Sequence, residues 1–150
     1  MHVDLPAGYE FSADPHRLDA ARVHALLTEH AYWARGRGRE LQDAAIAGSR
    51  NYGVYESGGG AQVAYARLVT DAATFGWLAD VVVDPAHRGA GLGSALVAGV
   101  LADVEPLGLK RVVLKASDDG RRVYERLGFV PIDGSAEWMQ RASTPATTRH

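Results

Sequence analysis

The sequence predicts an α/β fold of α+β character: a central, mostly antiparallel mixed sheet flanked by helices. Three observations predict it. Residues 50–83 hold three apolar, strand-like runs separated by short turns, which reads as an antiparallel meander. Val81-Val82-Val83 then leads through a glycine-rich loop into a helical pattern. Arg111 to Lys115 follows as a short apolar run, and a strand reached through a helical crossover lies parallel to the strand before it.

The elements follow in order. Tyr9 to Ser12 alternates as a first strand. Asp14-Pro15 starts a helix, with Asp14 as cap and Pro15 in the first turn, and its apolar face runs to about Thr28. His24 and His30 are six residues apart and do not share a face, so they read as surface histidines and no metal is expected. Tyr32-Trp33-Ala34-Arg35-Gly36-Arg37-Gly38-Arg39 is a glycine-broken loop with two aromatics and three arginines. It is either a solvated connector whose aromatics pack on the core or a substrate-binding lip. A second helix spans Glu40 to Ala47 and stops at Gly48. Arg50 to Glu56, Gln62 to Thr70 and Thr74 to Val83 are the meander, the first pair joined by a turn at Ser57-Gly58-Gly59-Gly60. Pro106-Leu107-Gly108 ends the helix after the glycine loop. A helix starts at Ser117-Asp118-Asp119-Gly120 and ends at Gly128. Phe129 to Ile132 and Ala136 to Gln140 read as two closing strands. The order is βααβββαβαββ, with residues 1–141 as one domain and 142–150 as a fraying tail.

The stretch Arg88-Gly89-Ala90-Gly91-Leu92-Gly93-Ser94 carries the chemistry. Pro85 stops the preceding strand, and Leu92, Leu96, Val100 and Val104 recur every fourth residue beyond the loop. Glycines there let several N–H groups point one way at the positive end of a helix, which suits a phosphate. A P-loop would need Lys after its last glycine, where Ser94 stands. A dinucleotide fingerprint would need Gly or Ala where Ser94 stands and an acid near residues 109–111, which are Leu, Lys and Arg.

Composition sets bounds. The chain has 150 residues, 47% of them hydrophobic and 23% charged, with a formal net charge of -2. This suits one domain with a real core, and a nucleic-acid partner bound through charge is not expected. The absence of cysteine excludes disulfides, thiolate metal sites and a thiol nucleophile. No apolar run approaches the ~18 residues of a membrane span, and the first residues carry no leader pattern. A cytoplasmic protein is expected.

Arg88-x-x-Gly91-x-Gly93 after a strand resembles the acyl-CoA loop of the GNAT superfamily of N-acyltransferases, Gln/Arg-x-x-Gly-x-Gly/Ala. Val123-Tyr124-Glu125-Arg126-Leu127-Gly128-Phe129 is similar to the second signature of that family, Leu-Tyr-Glu-Lys-Leu-Gly-Phe. The match is close over Thr74 to Pro131, and the first seventy residues agree in element order.

The resemblance implies a splayed pair of parallel strands whose freed backbone at Val81, Val82 and Val83 holds the pantetheine arm of acetyl-CoA. It implies that Arg88 and the N–H groups of Gly89, Ala90, Gly91, Leu92, Gly93 and Ser94 hold the pyrophosphate. Ser117 stands where many members carry an Asn toward the pantetheine. A strand N–H near Val82 would stabilise the oxyanion, and Tyr124 would protonate the leaving thiolate. Trp77 occupies the place where many members carry a Glu base, and Asp80 is the acid within that strand. Asp80 is a base working through water, an anchor for the acceptor ammonium, or a structural hydrogen-bonding group. Period-two alternation puts Trp77 and Asp80 on opposite faces unless the strand bulges.

The implied function is acetyl transfer from acetyl-CoA to a primary amine of a small molecule or protein. Tyr32, Trp33 and Arg35, with Arg37, are the candidates for the acceptor side. The alternative is a catalytically silent acyl-CoA-binding or interaction module. A small-molecule amine, no nucleic acid, no membrane and no metal are the expected partners, and a homodimer is compatible with them.

Overall fold

The computed structural model describes residues 4–143, arranged as two compact units, the first ending at Lys115 and the second beginning at Ala116. In the first, five strands form one sheet in chain order: β1 (Tyr9–Ser12), β2 (Arg50–Glu56), β3 (Gln62–Thr70), β4 (Phe75–Val83) and β5 (Arg111–Leu114). The first three pairings are antiparallel and β4 with β5 is parallel, as the meander and the crossover predict. Helices α1 (Ala20–His30) and α2 (Arg39–Ala47) precede β2, and α3 (Leu92–Val104) connects β4 to β5.

Alternation along β3 divides the core into two layers. Tyr65 and Val82 pack on Val23, Leu26 and Leu27 of α1, with Ala31 and Ala34 beyond its end. On the other face Tyr52, opposite Ala66, stacks on Phe11 at 6.0 Å and donates from its hydroxyl to Asp103 Oδ2 of α3 at 2.6 Å. Burial, then Asp103, pushes the Tyr52 hydroxyl pKa well above its usual range, so that hydroxyl stays a donor.

The helix expected from Asp14 to Thr28 forms in two pieces. Asp14 caps a single 3₁₀ turn, Pro15–Arg17, accepting from the His16 N–H at 2.9 Å. Asp19 then caps α1 by accepting from the Arg22 N–H at 3.0 Å. Two short-range Asp caps in succession leave Leu18 extended between them.

The second unit holds α4 (Arg121–Arg126). Its C-terminus is a Schellman closure. The Phe129 N–H donates to the Tyr124 carbonyl at 3.0 Å and the Gly128 N–H to the Glu125 carbonyl at 3.1 Å, with Gly128 at φ +93°. Tyr124 and Phe129 supply the accompanying hydrophobic contact, edge to face at 5.8 Å. The two closing strands expected beyond it do not form among the described residues: Ser135–Glu137 is a 3₁₀ turn, and Val130 and Met139 are exposed. Phe129 is committed to closing α4, and Pro131 cannot donate to a ladder. Most of the tail expected at 142–150 lies outside the described residues.

Gly99 of α3 exists for packing. A Cβ there would lie 2.4 Å from the Phe11 ring. Gly99→Ala would gain about 1 kcal/mol of helix propensity on an open surface. Here overpacking reverses the sign, and a loss of roughly 1–3 kcal/mol is expected in urea unfolding. Adding Phe11→Leu should recover part of it, and a stabilised Gly99→Ala protein would contradict this packing.

Candidate active site

β4 outruns its parallel neighbour. Pairing with β5 covers Phe75 to Leu78 and stops at Leu114, so residues 79–83 have β3 on one side and no β5 on the other. The Asp84 N–H donates to the Val63 carbonyl at 2.8 Å, toward β3. Val83 therefore turns its own N–H and C=O to the opposite edge. The side chain of Val82 is buried in the α1 layer, while Val81 and Val83 are half-buried. Val83 thus presents its backbone at the edge that β5 leaves unpaired.

A bulge sits at the start of this edge. Tyr65 faces Val82 and Arg67 faces Ala79, so β4 spends one residue more than β3. The extra residue is Asp80, at φ +54°. Asp tolerates the left-handed region better than most residues, at a cost of about 1–3 kcal/mol. The bulge brings Asp80 within reach of Arg67, which also lies over the Trp77 ring at 5.7 Å. Strict alternation would have separated Asp80 from Trp77.

Asp80 is 5% exposed and its carboxylate takes three donors. Trp33 Nε1 donates to Oδ1 at 2.8 Å, and Arg37 Nη1 and Arg67 Nε each donate to Oδ2 at 2.7 Å. Burial pulls its pKa up, but hydrogen bonds from Arg37 and Arg67 outweigh it and hold the carboxyl below its ordinary value. Arg37 Nη1 also donates to Gln42 Oε1 at 2.9 Å, and Arg67 Nη1 to Ser49 Oγ at 3.3 Å. Arg37 Nε and Gln42 Nε2 are buried without a partner among the described residues.

Of the residues expected at the acceptor side, Trp33 and Arg37 reach this cluster. Tyr32 is exposed and touches Trp33 edge to face at 5.1 Å. Arg35 is exposed, and its side chain has no hydrogen bond or ion pair among the described residues. Sequence reasoning missed Arg67. Its signal was a charged residue in an apolar strand, two positions from buried Tyr65 on the same face.

The glycine loop has a fixed base and an open tip. Asp84 pairs with Arg22 and accepts from the Ala86 N–H at 3.0 Å. His87 Nδ1 meets the Tyr9 hydroxyl at 2.7 Å, and its Nε2 lies 3.4 Å from Glu56. Beyond that base Arg88 is exposed, and its side chain has no partner among the described residues. Gly89 and Gly91 have φ of +87° and +77°, and a Cβ on either would meet nothing within 4 Å. They are glycines for their backbone conformation, and the space above them is clear. Gly91 caps α3, whose first internal bond runs from the Ala95 N–H to the Gly91 carbonyl at 3.1 Å. The N–H groups of Leu92, Gly93 and Ser94 precede that bond and have no intrahelical acceptor. Leu92 is buried and pins the turn, while Ala90 is half-buried. Such a row of N–H groups at a helix start suits an anion.

In the second unit Ser117 Oγ accepts from the Gly120 N–H at 3.2 Å and so helps start α4. The Tyr124 hydroxyl has no hydrogen-bond partner among the described residues, and burial pushes its pKa up. It stays protonated at neutral pH.

The cluster sets a stability prediction. Asp80→Asn leaves two guanidinium groups around a neutral amide, and breaking a buried pair costs about 3–5 kcal/mol. Because the Asp80 pKa is lower folded than unfolded, its contribution is present above the ordinary carboxylate range. It is lost as pH falls through the folded value. Urea unfolding should show a large deficit for Asp80→Asn at pH 7 that narrows on acidification; equal stability at pH 7 would contradict the cluster's role.

The model of the family described as "Acetyltransferase (GNAT) domain" matches residues 48–131. A glucosamine 6-phosphate N-acetyltransferase of Trypanosoma brucei brucei is 44% identical over 54 residues, 36% of this chain and 37% of that one. A Drosophila melanogaster relative is 36% identical over 73 residues, 49% of this chain and 33% of that one. The chain thus spans about a third of the length of these curated relatives. A solved structure from Xanthomonas campestris pv. campestris, described as belonging to the GNAT family, superposes with a TM-score of 0.83. It is 36% identical, with 93% of this chain and 96% of that one covered. The strand that outruns its parallel neighbour, the glycine loop at its end and these matches together place the chain in the GNAT acetyltransferase family.

Proposed function

We propose that the protein is an N-acetyltransferase that moves an acetyl group from acetyl-CoA to a primary amine of a small molecule, the function toward which its family membership points. The observation that carries this reading is the open edge of β4 running directly into a glycine loop where a Cβ on Gly89 or Gly91 would meet nothing within 4 Å among the described residues. A silent acyl-CoA-binding module would need the same loop. The protonated Tyr124 hydroxyl, without a hydrogen-bond partner among the described residues, favours an enzyme, since a structural tyrosine hydroxyl usually finds one. The name of the Trypanosoma brucei brucei relative supports a small amine, an amino-sugar phosphate being one candidate.

Acetyl-CoA would supply the acetyl thioester. Arg88 and the N–H groups of Gly89 to Ser94 bind its pyrophosphate, Val81 to Val83 pair with its pantetheine arm, and Ser117 offers that arm a hydroxyl. An N–H of the open edge donates to the carbonyl oxygen as negative charge develops there. The acceptor nitrogen forms the new C–N bond as the C–S bond breaks, its surplus proton passing to water. Tyr124 donates a proton to the departing sulfur and regains one from solvent. Asp80, with three donors on its carboxylate and a lowered pKa, is matched to holding Trp33, Arg37 and Arg67 and is a poor base.

Tyr124→Phe removes the hydroxyl and keeps the ring that closes α4 on Phe129, so the fold should persist. A fall in kcat of about 10²–10⁴-fold is expected, with acetyl-CoA affinity by calorimetry little changed. Full kcat in a variant whose chemical step is shown to be rate-limiting would remove Tyr124 from the mechanism.

A further inference from the structure

The buried cluster carries more positive than negative charge. Arg37 and Arg67 share the one carboxylate of Asp80. Arg67 is held on two sides: its Nε donates to Asp80 and its Nη1 to Ser49. Its remaining nitrogen, Nη2, has no partner among the described residues, and unlike Arg37 Nε it is not sealed from solvent. A guanidinium held at two of its three nitrogens is oriented before any ligand arrives.

What lies beside Arg67 narrows the ligand, since the pocket next to it shares the Trp77 ring over which Arg67 sits. Beside it on the same sheet face are Val69, opposite Trp77, and Phe75. With Thr70 and Asp71 these line a pocket of about 440 Å³, within the size range of small-molecule sites. Trp77 is 44% exposed, and the Arg67 guanidinium lies over its ring. Asp71 does not compete for that cation, because its carboxylate accepts from the N–H groups of Ala73 and Thr74 and the Thr74 hydroxyl. The α1 layer covers the Tyr65 end of this face.

We propose that Arg67, oriented by Asp80 and Ser49, binds an anionic group on the acceptor amine, a carboxylate or phosphate, while the body of that acceptor rests on Trp77. This rests on the N-acetyltransferase reading above. A charge-assisted hydrogen bond lost from one member of a substrate pair separates the two by roughly 10- to 100-fold.

The test compares kcat/KM, by thiol release from acetyl-CoA, for two pairs: glucosamine 6-phosphate against glucosamine, and β-alanine against its methyl ester. The full chain should prefer the anionic member by roughly 10- to 100-fold in at least one pair, and the preferred pair identifies the anion. Arg67→Gln should bring that ratio close to one. Arg67→Lys, which keeps the charge and loses the fork, should restore part of it. Acetyl-CoA affinity measured on each variant reports whether it is folded. Equal use of both members of both pairs by the unmodified protein would overturn the proposal, whether or not the variants fold. So would an Arg67→Gln protein that keeps the full preference. No thiol release with any amine, from protein that binds acetyl-CoA, would overturn the N-acetyltransferase reading itself and this proposal with it.

Discussion

One extra residue in β4 governs the layout of the site. The bulge at Asp80 puts a carboxylate where Trp33, Arg37 and Arg67 all reach it. Without it, alternation would turn that carboxylate away from the face that holds Arg67 and Trp77. The left-handed backbone at Asp80 costs about 1–3 kcal/mol, and three hydrogen bonds to a buried charge offset it. The same carboxylate ties the loop after α1 to β3, so residues far apart in the chain form one surface beside the open edge of β4. Bulges increase local twist, and β4 parts from β5 just before this one.

The glycine loop solves a different problem. It must be positioned yet leave its N–H groups free. Its base is fastened by side chains from other elements: Arg22 on Asp84, and Tyr9 with Glu56 around His87. Its tip carries exposed Arg88, the two left-handed glycines and half-buried Ala90 between them. Rigidity below and clearance above are what an anion cradle requires, because unpaired N–H groups are useful only when held in place.

Much of this was legible in the sequence where the cause is local. The meander and the strand–loop–helix order follow from periodicity and from residues that act on their neighbours, and the Tyr124-to-Phe129 signature from the family resemblance. That signature has a physical basis in the Schellman closure, which asks for Gly128 at positive φ and an apolar pair at Tyr124 and Phe129. What depends on distant partners was less legible. The bulge is a mismatch between two strands, and Arg67 gains its meaning only from Asp80, thirteen residues away. The run from Phe129 to Ile132 has strand-like composition but finds no strand to pair with among the described residues. The Asp19 cap interrupts a helix whose apolar periodicity continues across it, because a side-chain hydrogen bond competes locally with the helix.

The most direct measurement is mass spectrometry of the products formed from acetyl-CoA carrying a labelled acetyl group and a panel of primary amines. The proposed chemistry predicts the label in an amide of one class of small amine, with free CoA formed in equal amount and neither formed when the protein is omitted. Tight acetyl-CoA binding with no labelled amide from any small amine or protein lysine would contradict it, and would leave an acyl-CoA-binding module as the function of this fold.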